Sequence, residues 1–255
     1  MIYNNVFSSV YNKKFNNFSR VVGPMLYEYL QDNLSLHKKN KILDVCCGTG
    51  TLANFFLQKG HEVTGIDLSE DMLNHAIKNN SEFVHNGYAN FYLCDASNFQ
   101  LDETFSFVFS TYDSLNHLDN FSELTSCFES VYNVMDNNGI FIFDLNTYLG
   151  LSKSTGMVIN EDNNQLNISQ SFYDPISNKA STNYRGFVKT NRDELYVHYN
   201  QTIYNTIYKL NEVKTYLLEN GWFNVQFTDA RNLNKVLTEP ENEQRVFIIA
   251  QKKTK

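Results

Sequence analysis

The chain has 255 residues, of which 42% are hydrophobic and 15% aromatic, enough to bury a sizeable core and to exclude an intrinsically disordered protein. Its formal net charge of -7 disfavours nucleic acid and anionic membranes as partners, because the surface as a whole repels phosphate. No apolar run approaches the roughly 18 residues of a membrane span, and no secretory signal is apparent, so we expect a cytoplasmic protein.

The first segment, residues 1–40, is rich in Tyr and Phe and contains apolar residues at helical spacing. These residues are Val21, Val22, Met25, Leu26 and Leu30. We predict a helical arm that covers the ligand edge of the sheet formed by the following residues.

From Lys41 to Asp144, short apolar runs alternate with amphipathic segments, which is typical of parallel strands joined by helices. The predicted strands are Ile42–Val45, Val63–Ile66, Phe91–Leu93, Phe105–Phe109 and Ile140–Phe143. Ser69 is the predicted N-cap of one helix. A second helix is indicated by apolar residues at spacings of three and four, which are Leu124, Phe128, Val131 and Met135.

The pattern changes after Asp144. Successive extended segments, the first two separated by a turn-prone sequence that begins at Asp174, indicate an antiparallel insertion. These segments are Leu166–Tyr173, Ala180–Val188 and Leu195–Tyr204. A helix and two more strands, Phe223–Phe227 and Arg245–Ala250, follow.

We therefore predict an α/β fold with a Rossmann-like, doubly wound, mostly parallel sheet of seven strands. Its core comprises residues 41–147 and 207–255 and follows the helical arm. The antiparallel β insertion, residues 148–206, comes after the fifth strand. We expect it to cover an acceptor or to form a dimer contact.

The first predicted strand ends in a loop that contains Gly48 and Gly50, so the backbone can approach a ligand closely. Asp67 stands at the end of the second strand, where a carboxylate could accept both hydroxyls of a ribose. Asp95 follows the third strand, where it could accept from an adenine amino group. Two acids at successive strand ends fit an adenosine.

The segments Leu43-Asp-Val-Cys-Cys-Gly-Thr-Gly50 and Gly65-Ile-Asp-Leu-Ser-Glu-Asp-Met72 resemble the first two motifs of class I S-adenosylmethionine-dependent methyltransferases. The likeness covers nearly the whole chain and implies S-adenosylmethionine as cofactor, with S-adenosylhomocysteine as product. It implies that the glycine loop faces the methionine part, Asp67 holds the ribose and Asp95 meets the adenine. The other cofactor contacts implied are Tyr11, Arg20, Asp44, Cys46, Gly48, Gly50, Leu68, Met72, Ala96 and Ser110.

Several of these residues keep a second interpretation. Asp44 either orients the glycine loop or contacts the amino group of the cofactor, and Leu68 or Met72 flanks the adenine. Tyr11 matches a tyrosine that related enzymes place over the methyl end. Arg20 pairs with the methionine carboxylate or is simply an exposed arginine.

Two later segments, Tyr112-Asp-Ser-Leu-Asn-His-Leu118 and Gly139-Ile-Phe-Ile-Phe-Asp-Leu-Asn146, resemble a bacterial subgroup of small-molecule methyltransferases that includes the amino-sugar N-methyltransferases. The His-x-x-Arg-x-Tyr pattern of that subgroup is replaced by Tyr199-Asn-Gln-Thr-Ile-Tyr204, which lacks the arginine. Nucleic-acid methyltransferases carry Asn-Pro-Pro-aromatic after the fourth strand, where this chain reads Ser110-Thr-Tyr-Asp113. The sequence therefore favours a small-molecule acceptor over a nucleobase.

Methyl transfer depends mainly on holding a nucleophile in line with the methyl group and excluding water. An amine must also lose a proton, and His117, just past the fourth strand, is the candidate base; a surface or helix-start role is the alternative. Asp113 could orient or neutralise an ammonium, and Tyr112 could face the sulfonium. Five insertion residues line an acceptor pocket or form a sheet face: Tyr184, Tyr196, His198, Tyr199 and Tyr204.

Other functions remain to be weighed against this one. A nicotinamide-binding domain also fits Gly48-x-Gly50-x-x-Ala53, although Asp44 within the strand and the long aromatic arm argue against it. A catalytic Cys46 or Cys47 would need a Cys/His/Asn arrangement that does not accompany the pair. The four cysteines lack zinc spacing, so we expect free thiols and no metal site.

We predict a methyltransferase that acts on a small-molecule acceptor, with nitrogen slightly favoured over oxygen, as a monomer or homodimer. The alternative is a non-catalytic S-adenosylmethionine-binding or assembly protein with the same fold, because the cofactor motifs serve both. A polar pocket open beside the methyl group would favour the enzyme.

Overall fold

A computed structural model describes residues 5–14, 17–34, 39–189 and 195–253. The chain begins with two helices, α1 (Asn5–Lys14) and α2 (Asn17–Leu34). Helix α2 buries Val22 and Leu26, whereas Val21 is 70% exposed, as expected for an amphipathic helix with one face on the core. The predicted helical arm is therefore present in the described part of the segment.

The main sheet is built from strands that alternate with helices. In chain order these elements are β1 (Lys41–Val45), α3 (Thr51–Gln58), β2 (Glu62–Asp67), α4 (Glu70–Asn79), α5 (Ser81–His85), β3 (Ala89–Leu93), β4 (Phe105–Ser110), α6 (Phe121–Val134) and β5 (Met135–Asn146). A 3₁₀ helix, Ser114–His117, lies between β4 and α6. Ser69 caps α4 as predicted, since its hydroxyl accepts a hydrogen bond from the Met72 N–H at 3.4 Å.

The rest of the chain adds a second sheet and returns to the first. Its elements are α7 (Tyr148–Lys153), β6 (Gly156–Asp162), β7 (Gln165–Asp174), β8 (Lys179–Lys189), β9 (Tyr196–Thr206), α8 (Leu210–Glu219), β10 (Trp222–Asp229), β11 (Asn232–Val236) and β12 (Arg245–Lys252). Strands β6 to β9 form a four-stranded antiparallel sheet in sequence order, which is the predicted insertion.

The main sheet has the strand order β11-β10-β12-β5-β4-β1-β2-β3. Strands β1 to β5 are parallel, and β12 runs antiparallel between β5 and β10. The strand order changes direction between β1 and β4, because β1 to β3 extend toward one edge of the sheet and β4 and β5 toward the other. Ligands of such sheets bind at the carboxyl ends of the strands beside this point. The Rossmann-like fold is confirmed, and this edge is where the predicted site residues should meet.

Three details differ from the prediction. The main sheet contains an additional strand, β11, and the insertion contains an additional strand, β6. Both are edge strands with little burial, since every residue of β6 and all but Leu233 of β11 are exposed. Met135, expected at the end of a helix, is the first residue of β5.

The core has two layers, one on each face of the main sheet. All four cysteines are free, as predicted. In the described ranges, no helix combines the length and the hydrophobicity that crossing a bilayer requires.

We expect Phe128→Ala to lower the free energy of unfolding by about 3–5 kcal/mol, because the ring is fully buried and leaves a cavity in the α6 layer. Its centroid lies 5.2 Å from that of Phe143, so ring contacts are lost as well. Urea unfolding measures the change. The control is Phe172→Ala in β7, where the ring is 53% exposed and the loss should stay below about 1 kcal/mol. Equal losses in the two variants would contradict the assignment of the core.

Candidate active site

A cavity of about 440 Å³ lies at the carboxyl ends of the parallel strands, between the main sheet, α1 and the insertion sheet. It brings together twelve of the residues predicted from the sequence. They are Tyr11, Cys46, Gly48, Asp67, Leu68, Met72, Asp95, Ala96, Tyr112, Asp113, His117 and Tyr184. The predicted cofactor contacts Arg20, Asp44, Gly50 and Ser110 do not line it.

The glycine loop between β1 and α3 takes alternating left-handed backbone conformations, with φ of 61° at Cys46, 54° at Gly48 and 72° at Gly50. Gly48 faces the cavity. A Cβ on Gly50 would lie 2.7 Å from the Asn80 Nδ2 atom and 3.0 Å from the Ala76 Cβ atom. Gly50 therefore serves the close packing of α3 on α4 rather than a direct ligand contact.

The thiols beside this loop lie where the thiolate is disfavoured. Burial, and secondarily the carboxylate of Asp67, raise the pKa of Cys46 and of Cys47 well above the usual value of a thiol. The reactive form of cysteine is the thiolate, which such a site disfavours. This agrees with the absence of a catalytic triad pattern around the pair.

Asp67 connects the glycine loop to the end of β2. Its Oδ2 atom accepts a hydrogen bond from the Gly48 N–H at 2.8 Å, and its Oδ1 atom accepts one from the Ser69 N–H at 2.9 Å. Burial raises the pKa of Asp67, while these two N–H groups oppose the rise. Because each carboxylate oxygen can accept more than one hydrogen bond, both oxygens retain capacity for a ligand hydroxyl.

Asp95 is exposed at the end of β3 and lines the same cavity. Its Oδ1 atom accepts from the backbone N–H of Ser97 at 2.8 Å and from the Ser97 hydroxyl at 2.7 Å. The turn formed this way presents the carboxylate to the cavity beside Leu68 and Met72, which supply an apolar surface.

Asp44 lies below the cavity rather than in its wall, beside a small adjoining hollow that Tyr11 and Gly48 also line. It is 3% exposed, and its Oδ2 atom has no hydrogen-bond partner among the described residues. Burial, followed by repulsion from Asp67, raises its pKa to about 8. A buried acceptor without a partner is costly, and an ammonium group in the hollow would satisfy it.

Arg20 and Ser110 also lie outside the cavity. Arg20 is exposed on α2, because the helix turns Val22 and Leu26 to the core and leaves Arg20 on the solvent side. Its predicted contact with the methionine carboxylate has no geometric support. Ser110, the last residue of β4, is fully buried behind the cavity wall.

Asp113 is held by partners that no motif indicated. Its Oδ1 atom lies 2.6 Å from the Nη2 atom of Arg245, and its Oδ2 atom accepts from the Asn205 amide at 3.1 Å. Arg245 also donates to Asp144 at 2.5 Å. Arg245 thus shares its charge between Asp113 and Asp144, and the role of Asp113 beside an acceptor ammonium stays a prediction.

His117, at the end of the 3₁₀ helix, lines the cavity. Its Nδ1 atom lies 2.9 Å from the carbonyl oxygen of Tyr204. A carbonyl oxygen only accepts, so Nδ1 carries the hydrogen in the neutral ring and Nε2 keeps its lone pair. The insertion thus sets the tautomer that a general base needs.

Aromatic rings from α1 and α2 close the cavity. The ring of Tyr11 lies 6.2 Å from that of Tyr112, which stacks on Phe18 at 4.7 Å. Phe7 packs on Tyr184 of the insertion at 5.5 Å. Helix α1 therefore bridges the core and the insertion over the cavity.

The aromatic residues predicted in the insertion divide into two groups. Tyr184 lines the cavity, whereas Tyr199 is buried next to it and donates to the Asn167 side chain at 2.6 Å. Tyr196, His198 and Tyr204 have exposed side chains that do not line the cavity. Several small polar residues missed in the sequence face the cavity instead, namely Ser169, Ser171, Thr182 and Asn205.

Comparison with known proteins agrees with this geometry. A family model described as a methyltransferase domain matches residues 42–139, which include the glycine loop and the acids after β2 and β3. The putative methyltransferase YqeM of Bacillus subtilis (strain 168) is 37% identical over 113 residues, which are 44% of this chain and 45% of that protein. The alignment with this relative thus spans about half of its length.

Two further relatives extend the comparison. The putative methyltransferase GWCH70_2453 of Geobacillus sp. (strain WCH70) is 28% identical over 83% of this chain and 84% of its own length. A dTDP-3-amino-3,4,6-trideoxy-alpha-D-glucopyranose N,N-dimethyltransferase of Streptomyces venezuelae is 32% identical over 41% of this chain and 42% of its own length.

The crystal structure of an S-adenosylmethionine-dependent methyltransferase from Clostridium acetobutylicum ATCC 824 superimposes with a TM-score of 0.81 and covers 98% of this chain and 99% of that one. At 22% identity this similarity shows a common fold. The family model adds that residues 42–139, which contain Gly48, Asp67 and Asp95, are similar to a methyltransferase domain.

Proposed function

We propose that this chain transfers the methyl group of S-adenosylmethionine to a small-molecule acceptor, with an amine nitrogen favoured over a hydroxyl oxygen. The observation that carries the proposal is one continuous cavity in which the acids Asp67 and Asp95 share the lining with His117. A cofactor site and a candidate base therefore open onto the same space.

The residues at the core end of the cavity fit the cofactor. Asp67 binds the ribose hydroxyls, Asp95 meets the adenine amino group, and Leu68 and Met72 flank the base. The buried oxygen of Asp44 that has no partner among the described residues suits the cofactor's ammonium group. When bound there, the cofactor supplies an electrophilic methyl group on a sulfonium.

The residues at the insertion end fit a polar acceptor. Hydroxyl and amide side chains of Ser169, Ser171, Thr182 and Asn205 line the cavity here. His117 removes a proton from the acceptor amine at Nε2, since its Nδ1–H is held by the Tyr204 carbonyl. Phe7 and Tyr11 of α1 exclude water, and the rings of Tyr11 and Tyr112 attract a cationic centre.

Nitrogen is preferred because a base is useful for an ammonium acceptor and because the relative from Streptomyces venezuelae is named as an N,N-dimethyltransferase of an amino sugar. A non-catalytic cofactor-binding protein is the competing function. The cavity argues against it, because a polar volume continues past the adenosine acids rather than being filled by aromatic side chains.

The direct test is incubation of the protein with methyl-labelled S-adenosylmethionine and a panel of amino sugars, amino acids and phenols. We expect label on a member of the amine set, detected by mass spectrometry as a mass increase of one methyl group. Label only on phenols would overturn the preference for nitrogen. Cofactor binding without transfer to any panel member would favour the non-catalytic protein.

We expect Asp67→Ala to weaken binding of S-adenosylhomocysteine by roughly 100-fold or more, because two charge-assisted hydrogen bonds to the ribose are lost. The variant also releases the Gly48 N–H from its partner. Titration calorimetry measures the affinity. The control is Asp102→Ala, an exposed acid that does not line the cavity, and wild-type affinity in both variants would remove Asp67 from the cofactor site.

We expect His117→Ala to lower kcat for the preferred amine by about 100-fold to 10,000-fold, the usual contribution of a general base, with cofactor affinity close to wild type. Steady-state kinetics and calorimetry provide the two measurements. The matched control is His198→Ala. It removes an exposed histidine of the insertion sheet that does not line the cavity. Normal turnover in His117→Ala would exclude His117 as the base.

A further inference from the structure

The carboxylate of Asp144, near the end of β5, is fully buried and accepts hydrogen bonds from two distant segments. The backbone N–H groups of Tyr112 and Asp113 donate to its Oδ1 and Oδ2 atoms at 2.6 Å and 2.9 Å. Arg245, the first residue of β12, donates to the same Oδ2 atom. The buried acid is thereby paired and hydrogen-bonded, which is the condition for keeping a charge in the interior.

The turn that this carboxylate binds is unusual. Tyr112 and Asp113 both have left-handed backbone conformations, with φ of 69° and 49°. Such conformations cost free energy for residues with a side chain and persist only where surrounding contacts enforce them. Here the two N–H groups aimed at Asp144 provide that enforcement.

Arg245 joins the turn to the rest of the network. It spans the carboxylates of Asp113 and Asp144 with two different nitrogen atoms, at 2.6 Å and 2.5 Å. Its guanidinium carbon lies 4.8 Å from the Phe18 ring centroid and 5.7 Å from the Tyr112 centroid. A flat guanidinium can pair with two acids and stack on a ring at once, whereas a lysine ammonium cannot.

The insertion contacts the segment from Asp113 to His117 through three consecutive residues at the end of β9. The Tyr204 carbonyl contacts His117, and the Asn205 amide donates to Asp113. The Thr206 carbonyl accepts from Asn116 at 2.9 Å. The candidate base and the turn that precedes it are therefore placed by contacts from both the core and the insertion.

We infer that Arg245 is a positioning residue for methyl transfer: by bridging Asp113 and Asp144 it holds the left-handed turn, and the turn sets where the Tyr112 ring and His117 stand in the cavity. This inference rests on the proposed function. Arg245 acts through these neighbours rather than on the reacting atoms.

Arg245 and the two backbone N–H groups favour the ionised form of Asp144. Burial raises the pKa of Asp144 to about 6, with Arg245 opposing the rise and Asp113 adding to it. Two carboxylates and one guanidinium leave a net negative charge beside the cavity, which complements a sulfonium or ammonium group rather than repelling it.

The test compares Arg245→Ala, Arg245→Lys and a control, Arg231→Ala, which removes an exposed arginine outside the cavity. The substrate is the panel amine that the wild-type protein methylates fastest. For Arg245→Ala we expect kcat to fall roughly 100-fold, as misplacement of a catalytic group by about 1 Å does, with affinity for S-adenosylhomocysteine within about threefold of wild type. Fluorescence of Trp222, the single tryptophan, checks that the variant is folded.

Two further measurements separate positioning from a merely structural role. Added methylguanidinium should raise the kcat of Arg245→Ala at least about tenfold, because it can occupy the vacated site between the two acids. Arg245→Lys should keep the charge but reach only one acid at a time, so we expect kcat roughly tenfold below wild type.

Wild-type kcat in Arg245→Lys and Arg245→Ala would overturn the inference while leaving the proposed function intact. A loss of cofactor affinity in proportion to kcat would also overturn it, because it would mean a general structural role. If Arg245→Ala does not fold, the kcat of Arg245→Lys decides. If the wild-type protein binds S-adenosylhomocysteine but methylates no amine, the proposed function fails and this inference falls with it.

Discussion

The buried carboxylate of Asp144 constrains the candidate active site. A fully buried charge must be paired and hydrogen-bonded. The chain provides Arg245 and two backbone N–H groups, which point at the Asp144 carboxylate because the turn after β4 is left-handed. The same arginine reaches Asp113, which in turn accepts from Asn205 of the insertion. One desolvated acid thus ties together β5, β12, the segment bearing His117 and the second sheet.

The cavity follows from this arrangement and has two ends of different origin. The core supplies the acids and the glycine loop at the carboxyl ends of parallel strands, where such folds bind nucleotides. The insertion supplies small polar side chains and the carbonyl that orients His117. Helix α1 contacts both parts through Phe7 and Tyr11, so both ends of the cavity share one cover.

Most of the fold was predictable, because buried parallel strands appear as apolar runs and each helix shows its own period. Strands β6 and β11 were missed, since both lie at sheet edges and present few buried residues. The core end of the cavity was predictable for a related reason: Gly48, Asp67 and Asp95 each follow a strand directly, and the topology brings strand ends together. Arg20 lies on the exposed face of α2, the second of its two interpretations, because Val22 and Leu26 form the buried face.

By itself the sequence determined the strands, the glycine loop and the acids that follow β2 and β3, because each depends on residues adjacent in the chain. Tertiary structure alone decided the insertion end of the cavity. Arg245 lies 132 positions from Asp113 and 101 from Asp144, and His117 lies 87 from Tyr204. Such pairs form only when strand order and register bring distant segments together, and local periodicity contains no record of that order. For that reason the sequence shows Asp113 as an acid without a partner, whereas in the fold it forms a part-buried ion pair with Arg245.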